Sequence, residues 1–191
     1  MPVALADAPS RADLVWDVRA GQVIQPPGDV IASGIDAARI GGVVQRTAAV
    51  QCIKALTTVR PQLVTLRDGV RRYTPGDAPV LEAQDVMGRY LVVFDIASDG
   101  RLQVVWPEET RRVPMPRDTW NGRPDVIPPF GADYVVAVTS SSEPRDFLDW
   151  LNTNDNRLPS VAAQLPAWLR RIQARDATSR IGAVALYTAA R

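Results

Sequence analysis

The stretch 89–107 limits the possible folds of this chain more than any other part of the sequence. It contains two apolar runs, 90–94 and 102–106, that are rich in β-branched and aromatic residues and therefore favour extended strands. Ser98-Asp99-Gly100 separates them and is typical of a tight turn, because glycine adopts positive φ without steric cost. The sequence therefore predicts a β-hairpin. Neither arm alternates polar and apolar residues, so we expect both faces of the hairpin to be covered.

Short apolar runs recur about every ten residues through the middle of the chain, which is typical of an antiparallel sandwich. The predicted strands outside the hairpin lie at 62–67, 79–84, 133–140 and 180–189. Two further extended pieces are expected near 14–16 and around Pro26-Pro27-Gly28. Because proline cannot donate to a central ladder, we expect this N-terminal pair to be peripheral.

Helical periodicity appears in three places. The clearest segment is 36–59, where Val43, Val50, Ile53 and Leu56 recur on one face. A second helix is expected over 145–151, with Ser142 as its cap and a proline near its first position. A third is expected to begin at 165 and to present arginines on its outer side.

Together these elements predict a mainly β, α+β fold: an antiparallel β-sandwich-like domain with one helix before the core strands and two short helices near the C-terminus. We expect residues 1–60 to form an extension of strands and one helix that packs on the core. Residues 61–191 are expected to form the sandwich-like domain itself, completed by a final strand.

Composition excludes several classes of function. With 22 basic and 21 acidic residues, the formal charge of +1 provides no field that would attract nucleic acid or an anionic membrane. Histidine is absent, which removes the commonest general base and the commonest metal ligand. No run approaches the roughly 20 apolar residues that span a bilayer. Residues 1–10 lack the pattern of a signal peptide and are interpreted as a lead-in, as expected for a piece of a longer protein.

Cys52 is the single cysteine, and it lies within the predicted helix 36–59. A nucleophilic thiolate needs a base or cation to activate it, and the chain has no histidine to do so. Lys54 lies two positions away and faces elsewhere on a helix. We therefore interpret Cys52 as a small buried apolar side chain rather than a nucleophile.

Three other groups of polar residues are candidates for a metal, nucleophile or phosphate site, and each has a simpler structural interpretation. Asp95, Asp99 and Glu108-Glu109 lack the loop spacing of a calcium or magnesium site, and Asp99 serves the turn. Ser140-Ser141-Ser142 lacks a glycine-flanked elbow and is interpreted as helix capping. The pairs Arg71-Arg72, Arg111-Arg112 and Arg170-Arg171 would bind phosphate only if folding brought them together, and are interpreted as solvated surface. No catalytic, cofactor-binding or metal-binding residue is predicted.

An ordered series of short motifs runs from Leu66 to Ser142. Its members are Asp68-Gly69, Tyr73 with Pro75-Gly76-Asp77, Gly88-Arg89-Tyr90-Leu91, Asp99-Gly100, Trp106-Pro107 and Pro129-Phe130-Gly131-Ala132-Asp133. In this order, over about 40% of the chain, they resemble the β-rich domain of unknown function that lies C-terminal to caspase-like peptidase domains in bacteria. Segment 13–56, with Trp16-Asp17, resembles the piece that joins the two domains in some of these proteins.

The resemblance implies an accessory domain, because the Cys–His dyad of a caspase-like peptidase requires a histidine that this chain lacks. No catalytic residue is carried over. The main hypothesis is therefore a non-catalytic, regulatory protein-interaction domain with a caspase-like peptidase as partner, without a cofactor. The alternative is a stand-alone module that binds a ligand or a cell-envelope component. The residues favour neither the cytoplasm nor the periplasm.

Overall fold

The hairpin around Ser98-Asp99-Gly100 forms two antiparallel strands in the computed structural model, which describes residues 6, 8, 11–69, 72–107, 112–157 and 159–190. The strands of this part of the chain are β1 Val15–Asp17, β2 Gln22–Gln25, β3 Asp29–Ser33, β4 Val64–Leu66, β5 Leu81–Ala83, β6 Tyr90–Ile96, β7 Leu102–Trp106, β8 Trp120–Gly122, β9 Ala132–Ser140 and β10 Arg180–Tyr187. The helices are α1 Ile40–Thr57, α2 Arg145–Asn154, a 3-10 helix Pro159–Gln164 and α3 Leu165–Arg175. None of these helices is long and apolar enough to cross a bilayer.

The turn chemistry of the hairpin is as the sequence predicts. Gly100 has φ of +91°, and its amide donates to the Ala97 carbonyl oxygen at 2.8 Å. The Asp99 carboxylate accepts from the Arg101 amide at 3.1 Å and pairs with the Arg101 Nε at 2.8 Å. Asp99 therefore serves the turn, as the sequence predicts.

The main sheet has the order β10-β9-β6-β7, with antiparallel pairs throughout. The side chains of its two central strands, β6 and β9, point alternately into two apolar cores, because successive side chains of a strand lie on opposite faces of the sheet. One face contributes Val92, Phe94, Ile96, Tyr134, Val136 and Val138 to the larger core, and the other contributes Leu91, Val93, Val135 and Ala137 to a second core. The expectation that both faces of the hairpin are covered holds for β6, whereas β7 is an edge strand on which Gln103 is exposed and residues 104–106 are half-buried.

The second core lies between the main sheet and the three-stranded sheet β4-β5-β8, which supplies Val64, Leu81, Ala83 and Trp120. Two sheets packed face to face confirm the antiparallel β-sandwich-like fold, mainly β with α. Helices α1, α2, α3 and the 3-10 helix cover the opposite face of the main sheet. The last strand completes this sheet at one edge, as predicted, through its pairing with β9.

The N-terminal sheet β1-β2-β3 is not peripheral, which corrects the expectation from its prolines. Val23 and Ala32 have no exposed surface, and Ile31 is 2% exposed within the larger core. Pro26 and Pro27 lie in the turn between β2 and β3, so the strands themselves keep their ladder donors.

The first helix begins at Ile40, four residues later than the sequence predicts. The Asp36 carboxylate accepts from the amides of Ala38 and Arg39, at 3.1 and 3.0 Å, and holds a separate turn before the helix. The second helix begins at Arg145 with Pro144 at its N-cap and no side-chain cap. The prediction that Ser142 caps this helix is therefore wrong.

Some predictions fall outside the described residues. These are the structure of most of residues 1–10 and the positions of Arg71, Glu108, Glu109 and Arg111.

Candidate functional site

Arginines from three separate parts of the chain meet at one end of the main sheet. β6 and β10 both run antiparallel to β9, which lies between them, so both strands start at the same end of the sheet. Arg89 directly precedes β6, and Arg180 is the first residue of β10. Arg60 joins them because Pro61 forms a parallel bridge with Ile181, whose amide donates to the Arg60 carbonyl oxygen at 3.0 Å.

These three side chains line an open cavity of about 470 Å³, which we call the arginine cavity. The other lining residues are Val59, Pro61 and Thr178. The cavity is shallow and wide open to solvent, so it is more accessible than the enclosed clefts that bury most of a small ligand. Because three of the described lining residues are cationic and none of them is acidic, the cavity presents positive potential to an incoming group.

Arg89 is fixed in the wall of the cavity by backbone oxygens. Its Nη2 donates to the Thr178 carbonyl at 2.5 Å and to the Thr139 carbonyl at 3.5 Å. Its Nε is buried and has no hydrogen-bond partner among the described residues. Burial and the nearby charge of Arg180 lower the pKa of Arg89, and the Asp176 carboxylate partly offsets them. A guanidinium stays protonated at neutral pH, so the wall keeps its charge.

Asp176 organises the turn that carries Thr178 and Arg180 into place. Its carboxylate accepts from the amide and hydroxyl of Ser141 at 2.6 and 3.0 Å, and from the amide and hydroxyl of Thr178 at 2.8 and 2.7 Å. Burial alone would raise the pKa of Asp176, but these hydrogen bonds outweigh it and lower the pKa to about 2. Asp176 is therefore an ionised, fully engaged support beneath the cavity.

The remaining acceptors near the cavity contact the arginines weakly. Arg60 Nη1 donates to the Asp176 backbone oxygen at 3.5 Å. Arg180 Nη1 lies 4.0 Å from the carboxylate of Asp85, and both side chains are substantially exposed. Exposed pairs at this distance contribute little. Within the described part of the chain, no other acceptor engages the guanidinium groups of Arg60 and Arg180, which leaves their donors for a ligand.

A second hollow, of about 120 Å³, lies where α2 and α3 meet the end of β9. Its charged side chains largely pair with one another: Arg175 Nη1 is 2.8 Å from the Asp146 carboxylate, and Arg145 pairs with Glu143 at 3.1 Å. Because its charges are paired and its volume is smaller, this hollow is a weaker candidate than the arginine cavity.

Cys52 is half-buried on α1 rather than buried, which corrects the sequence prediction. Lys54 does not approach the thiol, because its Nζ donates to the Tyr134 hydroxyl at 3.0 Å and lies 4.7 Å from the centre of that ring. The expectation that Lys54 faces elsewhere is confirmed.

The three serines connect β9 to α2 and support the arginine cavity indirectly. The Ser140 hydroxyl donates to the Ser142 carbonyl at 2.7 Å, while Ser141 binds Asp176. Since Pro144 occupies the N-cap itself, the serine hydroxyls are left for these contacts instead of helix capping.

None of the described members of the three arginine pairs lines the arginine cavity. Arg112 binds the Asp149 carboxylate at 2.8 Å, and the Arg171 guanidinium lies 4.6 Å from the centre of the Trp168 ring. Arg72 and Arg170 are exposed. The cavity is lined instead by Arg60, Arg89 and Arg180, which lie next to the beginning of a strand or next to the bridge at Pro61. Their spacing in the sequence does not indicate that they meet.

The structure also contains a buried polar cluster that the sequence does not reveal. Arg46 of α1 is 1% exposed, its Nε and Nη2 have no partner among the described residues, and it lies 5.3 Å from the centre of the Tyr134 ring. Burial raises the pKa of Asp133 to about 7, although Arg46 and the hydrogen bond from the Ser98 amide oppose this. Burial and the charge of Asp133 also raise the pKa of Asp95.

Asp95 thus belongs to a buried cluster of the main sheet. Within the described ranges, no group of three or more acidic, cysteine or histidine residues is arranged to hold a metal ion.

Comparison with known proteins identifies no relative: no protein-family model, curated protein or solved structure matches this chain. The resemblance of 66–142 to the β-rich domain associated with caspase-like peptidases therefore stays a prediction.

Proposed function

We propose that this chain is a non-catalytic protein-interaction domain that holds an anionic group of its partner in the arginine cavity. One observation carries the proposal: Arg60, Arg89 and Arg180 converge on one cavity, and the described residues that line it include no carboxylate. Arginine clusters of this kind bind carboxylate and phosphate groups through charge-assisted hydrogen bonds.

The chemistry of the lining favours binding over catalysis. A guanidinium donates hydrogen bonds and stays protonated, so it cannot serve as a general base at neutral pH. The Thr178 hydroxyl donates to the Asp176 carboxylate at 2.7 Å and is therefore engaged in the fold. The guanidinium groups of the cavity are suited to hold and orient an anion.

The strength of binding can be estimated from the donors. A hydrogen bond to a charged group contributes about 1.5–3 kcal/mol, so losing one arginine should weaken binding by about tenfold or more. Arg180 is the best position to test, because its contact with Asp85 at 4.0 Å contributes little to the fold.

The test is fluorescence anisotropy of a labelled, otherwise neutral peptide that carries a run of glutamates. We expect saturable binding to the full chain and a loss of about tenfold in affinity for R180Q. R170Q is the matched control, because it removes the same charge from an exposed position of α3 outside the cavity. Equal affinities of R180Q and the parent chain, or no saturable binding by the parent, would contradict the proposal.

The resemblance of 66–142 supports a finer proposal, in which the partner is a caspase-like peptidase that this domain regulates. Co-purification with the peptidase domain encoded in the same protein or beside it tests this directly. We expect a complex that R180Q weakens and R170Q leaves intact. Glutamate-peptide binding without any complex would reject the peptidase while keeping the interaction domain.

The alternative is a stand-alone module that binds a small anionic ligand or a cell-envelope component. The volume of about 470 Å³ favours it equally, because such a cavity accepts a small molecule as readily as a peptide side chain. Tight binding of a free small anion, without binding of any peptide, would select this alternative.

A further inference from the structure

The guanidinium groups of the arginine cavity come from three independent backbone segments. Arg60 lies between α1 and β4, Arg89 precedes β6, and Arg180 begins β10. A carboxylate is planar and has two oxygens, which a single arginine can satisfy in a bidentate pair. A phosphate monoester has three terminal oxygens in a tetrahedral arrangement, so it can accept hydrogen bonds from several arginines at once.

The charges of the cavity favour the same ligand. The positive charge of Arg180 acts unfavourably on Arg89, and the support from Asp176 is shared with four hydrogen bonds from Ser141 and Thr178. A phosphate monoester carries about −1.5 to −2 charges at neutral pH, against −1 for a carboxylate. It therefore compensates more of the repulsion among the arginines.

The surroundings of the cavity have room for more than a free anion. A water molecule takes about 30 Å³ in the liquid, and a phosphate group is only a few times larger, so about 470 Å³ leaves space beside it. Part of that space is apolar, since Val59 and Pro61 line the cavity. Val59 is 63% exposed, so it can contact an apolar group next to the phosphate.

The geometry points to a phosphorylated serine or threonine of the partner protein as the group held by Arg60, Arg89 and Arg180, with an apolar neighbour against Val59. This inference rests on the proposed function and adds that phosphorylation of the partner controls docking. Without the phosphate, the partner offers these arginines no anionic acceptor, and we expect binding to be weak.

The experiment compares peptides of one sequence that differ at a single position. Phosphoserine, glutamate and serine are placed between apolar residues, and binding to the full chain is measured by anisotropy, with inorganic phosphate as a competitor. We expect the phosphoserine peptide to bind at least about tenfold more tightly than the glutamate peptide. R180Q and R60Q should each lose most of this preference, R170Q should keep it, and thermal melting establishes that each variant is folded.

The possible results separate the two proposals. If the glutamate peptide binds as tightly as the phosphoserine peptide, the phosphate inference is wrong and the interaction domain stands. If inorganic phosphate alone binds as tightly as the phosphopeptide, the partner segment contributes nothing and the inference is wrong in that part. If none of the peptides binds the folded parent chain, the proposed function fails as well.

Discussion

Replacement of Phe94 with alanine should lower the free energy of unfolding by about 4 kcal/mol. The ring has no exposed surface in the larger core, and its centre lies 5.8 Å from that of Phe147 in an edge-to-face arrangement. The loss combines the transfer free energy of the ring with the cavity that remains, because α2 and the main sheet can close over it only in part. Trp106 is the matched comparison on the other strand of the hairpin.

Trp106 lies on β7, the edge strand of the main sheet, and is only half-buried. Its ring centre is 6.3 Å from that of Trp120, so part of its surface packs against the second core. We therefore expect Trp106→Ala to cost about 2 kcal/mol, less than a fully buried aromatic residue would.

Urea denaturation of both variants and the parent chain measures these differences, provided that the denaturant slope stays constant. A loss below about 1 kcal/mol for Phe94→Ala would show that the ring is not packed in the core, because removal of a buried ring lowers the free energy of unfolding by more than this. A larger loss for Trp106→Ala than for Phe94→Ala would place the centre of stability at the sheet edge.

Three further outcomes are expected. Burial raises the pKa of Asp133 from 3.8 to about 7. Between these two pH values the folded chain keeps a proton on Asp133 that the unfolded chain loses. The free energy of unfolding should therefore fall as the pH rises from about 4 to about 7, and it should level off above that. D133N keeps an acceptor for the Ser98 amide. For this variant, urea denaturation should show a smaller decrease of the free energy of unfolding over the same pH range. The same pH dependence in D133N and the parent chain would reject the role of Asp133. A Cβ on Gly182 would collide with the carbonyl oxygen of Gln62, so G182A should cost about 2–3 kcal/mol by thermal melting, and a parent-like melting temperature would contradict this close approach. C52S should change stability by less than about 1 kcal/mol and leave peptide binding intact, and loss of binding in a variant that melts like the parent would overturn the interpretation of Cys52 as non-nucleophilic.

The hairpin was predictable because its signals are local. The apolar runs of β6 and β7 and the glycine of the turn lie within one short stretch. Neighbouring residues therefore specify this hairpin, and no distant part of the chain has to be known to predict it. The same holds for α3, whose predicted start at Leu165 matches the structure. Patterns that depend on nearest neighbours along the chain survive folding well.

The arginine cavity was not predictable in this way. Arg89 and Arg180 become neighbours only because β9 lies between β6 and β10, and Arg60 joins them only through the bridge from Pro61 to Ile181. Strand order is a global property that periodicity does not encode. The adjacent arginine pairs, which attract notice in the sequence, are used elsewhere.

Two of the local errors have clear physical causes. The missing amide donors of Pro26 and Pro27 predict a peripheral position for the neighbouring strands, but both prolines lie in the turn, where no ladder donor is needed. The sequence predicts Ser142 as a helix cap, yet Pro144 lies at the N-cap, and Ser141 holds Asp176. In both cases a shift of one or two residues decides the role.

The central claim is that Arg60, Arg89 and Arg180 bind one anionic group together, and the most direct measurement observes their guanidinium groups. The Nε–Hε resonances of the arginines can be followed by NMR while the phosphoserine peptide is titrated into the full chain. We expect saturable shifts of all three resonances with one common dissociation constant, while the resonance of Arg170 stays unchanged. Shifts spread evenly over exposed arginines, or no shift at Arg60 and Arg180, would contradict it.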